Sequence, residues 1–143
     1  MILQQKTIDA WSPRLLGVLR IVTGLLFLEH GTAKLLGVPH VAMFDGLQLF
    51  SLMGVAGVLE LGGSLLIILG LFTRPVAFIL SGEMAAAYFM AHAPQAFLPL
   101  VNQGELAVIY CFVFLYLCVA GAGSFSIDGW RSGSNHDHTE KVA

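Results

Sequence analysis

Between Glu105 and Asp128 the chain carries no charged residue, and the run from Leu106 to Ile127 consists largely of Leu, Val, Phe, Tyr, Ala and Cys. Such a run matches the roughly 20 apolar residues with which a helix crosses the hydrocarbon of a bilayer. Three other runs have the same character. One extends from about Leu15 to Ala33, a second from about Ser51 to Phe72 with Glu60 as its single charge, and a third from about Pro75 to Ala93 with Glu83 as its single charge. Hydrocarbon offers no hydrogen-bond partner to an open backbone, so spans of this length must be helical. The expected fold is all-α, an integral membrane four-helix bundle with both termini on the cytoplasmic side.

Composition closes off the alternatives. Charged residues make up 11% of the 143 residues, against roughly 25% in a soluble domain, and the mean hydropathy is +0.81. A soluble chain this small needs much of its surface to be polar because its surface-to-volume ratio is high. A lipid bilayer removes that need and is the expected partner. The formal net charge of −2 excludes a strongly basic nucleic-acid binder. The first run is not read as a secretory leader, because no small-x-small cleavage site follows it and three further spans do. Cys111 and Cys118 would lie about 10 Å apart along a helix axis, too far for a disulfide, and are read as small apolar fillers.

The connections divide the chain into a cytoplasmic N-terminal segment (1–14), a four-helix transmembrane domain (15–131) and a disordered cytoplasmic tail (132–143). From Lys34 to Phe50, the spacing of Met43, Phe44, Leu47 and Phe50 suits a short interfacial helix. Only Gly70-Leu71-Phe72-Thr73-Arg74-Pro75 joins the second and third spans, which predicts a tight antiparallel hairpin. Pro94, Pro99, Asn102 and Gly104 break the chain before the fourth span. Lys6, Arg14, Arg74, Arg131 and Lys141 fall on one side and only Lys34 on the other, so the positive-inside bias puts both termini in the cytoplasm with Trp11 and Trp130 as interfacial anchors.

The few ionisable groups within the spans are the informative residues. At a rise of about 1.5 Å per residue from Arg14 or Arg74, Arg20 lies roughly 9 Å deep, Glu83 roughly 13 Å, and Glu29 and Glu60 roughly 21 Å. A charge at mid-bilayer costs at least about 2.5–3.5 kcal/mol and must find a partner inside the bundle. Arg20 and Glu83, similar in depth, are therefore expected to form a buried ion pair. Higher up, Glu29, His30, Glu60 and Glu105 are expected to line a polar, outward-opening cavity capable of proton exchange. Gly17, Gly24 and Gly31 recur at a heptad interval on the face of the first span that carries Arg20, a stripe that suits close helix packing. Glu105 shares a face with Ile109, Phe112, Tyr116 and Gly123, which would supply aromatic walls below a carboxylate. The tail pair His136 and His138 has no fixed geometry, and no metal site is expected.

Arg20 with Gly24, Phe27, Gly31 and Lys34, then Glu60-Leu61-Gly62-Gly63 and Leu69-Gly70-Leu71-Phe72-Thr73-Arg74, resembles the first half of DoxX-type membrane proteins. The likeness continues in Phe89-Met90-Ala91-His92, Pro99, Asn102-Gln103-Gly104-Glu105 and Gly121-Ala122-Gly123-Ser124-Phe125-Ser126-Ile127-Asp128. It covers about Leu15 to Arg131, and the order and spacing of its short motifs make it specific. The resemblance implies a bacterial inner-membrane protein with four spans. The name of the family it resembles derives from a relative of the small subunit of an archaeal thiosulfate:quinone oxidoreductase, and other relatives are linked to redox maturation or oxidative-stress complexes. Where such proteins often carry two glycines before the glutamate of the fourth span, this chain has Gln103-Gly104, a change expected to loosen the turn slightly.

Three functions are compatible with these residues. One is an accessory subunit that docks a redox partner protein in a membrane redox or stress-related complex. A second is a quinone-reactive oxidoreductase subunit in which Glu60, Glu105 and His30 handle quinone protons beside Phe112 and Tyr116. A third is a small proton-coupled transporter. No haem pair, flavin fingerprint or cysteine cluster is evident in the sequence, so a quinone-reactive role needs an electron carrier from a partner.

Overall fold

The computed structural model describes residues 2–132 and, among them, contains helices and no strand. Helix α1 spans Ile2–Leu36, α2 Leu52–Leu69, α3 Thr73–Ala87 and α4 Glu105–Ala120. A π-helical turn, Tyr88–His92, extends α3. Helices α1 and α2 are each long and apolar enough to cross a membrane, whereas α4 is shorter. The segment 1–14, expected to precede the first span, is helical from Ile2 and continuous with it. The interfacial helix expected before α2 is reduced to the 3-10 turn Ala42–Phe44, because Pro39 and Gly46 flank an apolar stretch too short to propagate. The tail 133–143, with His136 and His138, lies outside the described residues.

The termini of α2 follow from local chemistry. Ser51 accepts the N–H of Gly54 at its side chain (3.1 Å), and Gly70 closes the helix with φ 63°, the left-handed conformation that glycine adopts without a Cβ penalty. The hairpin to α3 is as tight as the sequence predicts. Successive helices run antiparallel: Gly31 of α1 packs on Leu61, Gly24 on Ile67 and Ile68, and Gly63 of α2 on Leu80. The heptad glycines thus do bring α1 against α2, and Gly17 meets the Ser124 carbonyl beyond α4.

The interior and exterior are inverted relative to a soluble protein. Arg20 (0% exposed), Glu60 (2%) and Ser64 (0%) are buried, while Leu25, Leu26, Val58, Leu65, Phe78 and Phe112 lie on the outside, each about half exposed or more. The apolar core is narrow, built from Phe27, Ile67, Leu80, Tyr110, Phe114 and Leu117. Lipid around the helices resolves this pattern, since an apolar solvent drives polar groups inward and accepts aliphatic side chains outside.

At one end of the bundle the helix termini are tied together. The Arg20 guanidinium donates to the carbonyls of Ile67 and Ile68 at the end of α2, to Ala122 (2.8 Å), and to Ser124 and Phe125 (3.3 and 2.7 Å). Arg74 donates to the Cys118 and Val119 carbonyls at the end of α4. The Asp128 carboxylate accepts the N–H groups of Phe72 and Thr73 (3.0 and 2.9 Å) at the start of α3. Each charge meets the helix end whose dipole it complements. The fourth apolar run therefore ends as a helix at Ala120, and 121–128 folds back across the other helix ends.

Burial pushes the Asp128 carboxyl up, but the Thr73 and Phe72 N–H donors and the Arg131 charge outweigh it and hold Asp128 below the ordinary aspartate value. A depressed folded-state value means that the contribution is present above the unfolded value, about 3.9, and is lost as pH falls through the folded one. Thermal unfolding in detergent is expected to show a lower midpoint on acidification below about pH 4. Asp128→Ala is expected to cost about 0.5–2 kcal/mol at neutral pH, the range for a lost helix cap, and to flatten the acid-side fall.

Candidate functional site

The structure does not pair Arg20 with Glu83. The five carbonyl acceptors around Arg20 occupy the guanidinium, and Glu83 instead lies within electrostatic reach of Glu60 and Lys34. The expected pairing fails because similar depth does not give similar azimuth, and because exposed carbonyls at a helix end satisfy a guanidinium as well as a carboxylate does.

The expected four-residue cavity is also dispersed. Glu60 is buried and forms an ion pair with Lys34, whose side chain is 9% exposed. Glu29 is exposed on the outer face of α1, and Glu105 is exposed in the first turn of α4, where a carboxylate complements the helix N-terminus. His30 is half-buried, with its ring 5.9 Å from both Phe27 and Tyr110. Neither of the two concavities at the ends of the bundle is lined by any of these four residues. Phe112 and Tyr116 face outward (64% and 56% exposed), whereas Tyr110 and Phe114 point in.

The geometry replaces these groupings with a triad of Lys34 from α1, Glu60 from α2 and Glu83 from α3. Its position follows from the antiparallel packing: Gly63 meets Leu80, so one turn further along each helix Glu60 comes level with Glu83. Gly57 lies against the Lys34 and Leu35 side chains, and the close approach admits the lysine stem between the helices. Lys34 donates to Glu60 Oε1, while Glu60 Oε2 and both Glu83 oxygens are buried without a hydrogen-bond partner. Ser64 donates to the Glu60 backbone carbonyl, one turn away on the same face. The signal that could have found the triad was the single charge in each of the second and third runs, together with the nearest lysine.

A second polar element fixes the opposite end. Asn102, 3% exposed, donates to the Ala96 carbonyl and accepts the Gly104 N–H, both at 2.8 Å, and His92 Nδ1 lies 3.0 Å from the Asn102 carbonyl oxygen. Gln103 adopts φ 58°, a left-handed conformation that a glycine would hold without strain.

Helices with an apolar exterior around a buried ionic centre define a small helical membrane protein. The DoxX family model matches residues 15–93, more than half of the chain, and the chain belongs to that family. It is 46% identical over 126 residues to an uncharacterized protein of Haemophilus influenzae, covering 85% of this chain and 93% of that one. It is 26% identical over 113 residues to a Bacillus subtilis protein named "Putative oxidoreductase CatD", covering 78% and 82%. No solved structure matches the chain.

Removing one partner of a buried ion pair strands the other charge. Lys34→Met is expected to destabilise the detergent-solubilised protein by about 3–5 kcal/mol, and Lys34→Met with Glu60→Gln by clearly less, since the double variant removes both members of the ion pair. Thermal unfolding of the two single variants and the double variant measures the coupling.

Proposed function

We propose that this protein is an accessory subunit of a membrane redox or stress-related complex, and that α1 is the face that docks its partner. The observation that carries the reading is the Glu29 carboxylate. It is exposed on the same side of α1 as Val22, Leu25 and Leu26, and it has no hydrogen bond or ion pair among the described residues. An ionisable group within an apolar span ordinarily faces a protein interior or water and finds a partner. A neighbouring transmembrane helix that brings a hydrogen-bond donor or a cation to Glu29 satisfies that requirement. The relative named as an oxidoreductase favours a redox assembly.

The setting of this reading is the bacterial inner membrane, crossed four times, with the helix-end cluster of Arg20, Arg74 and Asp128 on the cytoplasmic side. Arg14, Arg74 and Arg131 at that end favour the orientation, as do Trp11 and Trp130, 54% and 77% exposed. Quinone binding is the second reading. It draws on the same relative's name, but its aromatic wall would be Phe27, Tyr110 and Phe114 beside His30 rather than Phe112 and Tyr116.

Purification from native membranes tests the docking reading. The wild-type protein is expected to travel with a larger assembly, and Glu29→Leu is expected to release it as a folded, separate chain. A wild-type monomer in mild detergent, or an assembly indifferent to Glu29→Leu, would count against it.

A further inference from the structure

Of the four buried side-chain oxygens without a hydrogen-bond partner among the described residues, three belong to Glu60 and Glu83. Both carboxyl groups share a single ammonium, Lys34. Glu60 is 2% exposed and directs one oxygen at Lys34; its second oxygen is left without a donor. Glu83 has no donor at either oxygen. Two carboxylates and one ammonium leave one negative charge, and a buried site surrounded by apolar side chains cannot hold it without a counter-ion or a proton.

Among the described residues, the surrounding elements offer no further cation. Charged groups within reach of Glu83 are Glu60 from α2 and Lys34 from α1. Helix α4 brings the neutral Tyr110 and Cys111, and its one charged residue, Glu105, is exposed at the helix start. His30, the titratable neighbour of Lys34 on α1, is engaged with the Phe27 and Tyr110 rings. Arg20 is spent on backbone carbonyls.

We propose that Lys34, Glu60 and Glu83 form a proton-binding site that holds one exchangeable proton on Glu83 while Glu60 stays ionised against Lys34. The proton makes the triad neutral and supplies a donor where Glu60 Oε2 is a buried acceptor without a partner. Uptake adds one proton from water to one Glu83 oxygen, and release returns it to water. No other bond is made or broken. The inference rests on the triad alone, so it stands or falls whether or not a partner complex is recovered.

The charge balance gives a stoichiometric test by infrared spectroscopy of the full chain in an ester-free detergent. A protonated carboxyl group has a C=O stretch distinct from that of a carboxylate, and deuterium exchange shifts it. With Glu29 replaced by glutamine throughout, so that it contributes no carboxyl band, the otherwise wild-type protein is expected to show this band at neutral pH, and Glu83→Gln to lose it. Glu60→Gln is expected to lose it too, because the remaining Glu83 then ionises against Lys34. Lys34→Gln is expected to roughly double the band, since both acids then take a proton. Absence of the band in the wild type, its persistence in Glu83→Gln, or an unchanged band in Lys34→Gln would overturn the proposal. The Glu60 and Lys34 variants decide the matter even where Glu83→Gln does not fold.

Discussion

The structure depends on the cost of an unneutralised charge away from water. In a soluble protein a stray lysine or glutamate turns outward and is hydrated. Here the outside is apolar, with Leu25, Val58, Ile79 and Phe112 all exposed, and outward rotation offers a polar group nothing. Arg20, Lys34, Glu60 and Glu83 are therefore the residues that decide which faces of the helices meet. The glycines permit that meeting, because Gly24, Gly31, Gly57 and Gly63 remove the side chains that would keep the helices apart.

The same cost explains how the helix ends are finished. Helix termini leave backbone groups unpaired, and near a membrane these cannot all rely on water. Arg20, Arg74 and Asp128 each reach across to the terminus of a different element, so that the segment after α4 ties together α1, α2 and α3. Closure at one end leaves the ionic triad enclosed further along the bundle, while Glu29 lies exposed on the outer face of α1.

The membrane class, the four apolar runs and the α2–α3 hairpin were legible because they depend on composition and length. The glycine stripe was legible because its interval matches helix packing. The ion pairing was not. Counting the turn residues from Gly70 to Arg74 as helical rise lifted Glu60 above Glu83, whereas the packing of Gly63 on Leu80 sets them level. Lys34, placed at the outer boundary by its position, extends its stem back to Glu60. The aromatic faces of α4 were misassigned for another reason. That helix is apolar on every side, so its sequence does not tell Phe112 from Phe114, and only packing against Phe27 turns Tyr110 and Phe114 inward. Backbone acceptors are equally silent in a sequence, which is why the clasp around Arg20 was read as a carboxylate pair.

The central claim is that lipid wets the helix faces bearing Leu25, Val58, Ile79 and Phe112 while the charged side chains are enclosed. Spin labels placed singly at these four positions in lipid nanodiscs, with collision rates measured for oxygen and for a water-soluble nickel chelate, address it directly. The account predicts frequent collisions with oxygen and few with the chelate at all four sites, and the reverse at the exposed loop residue His40. Chelate collisions at the four sites as frequent as at His40 would show water on those faces and contradict it.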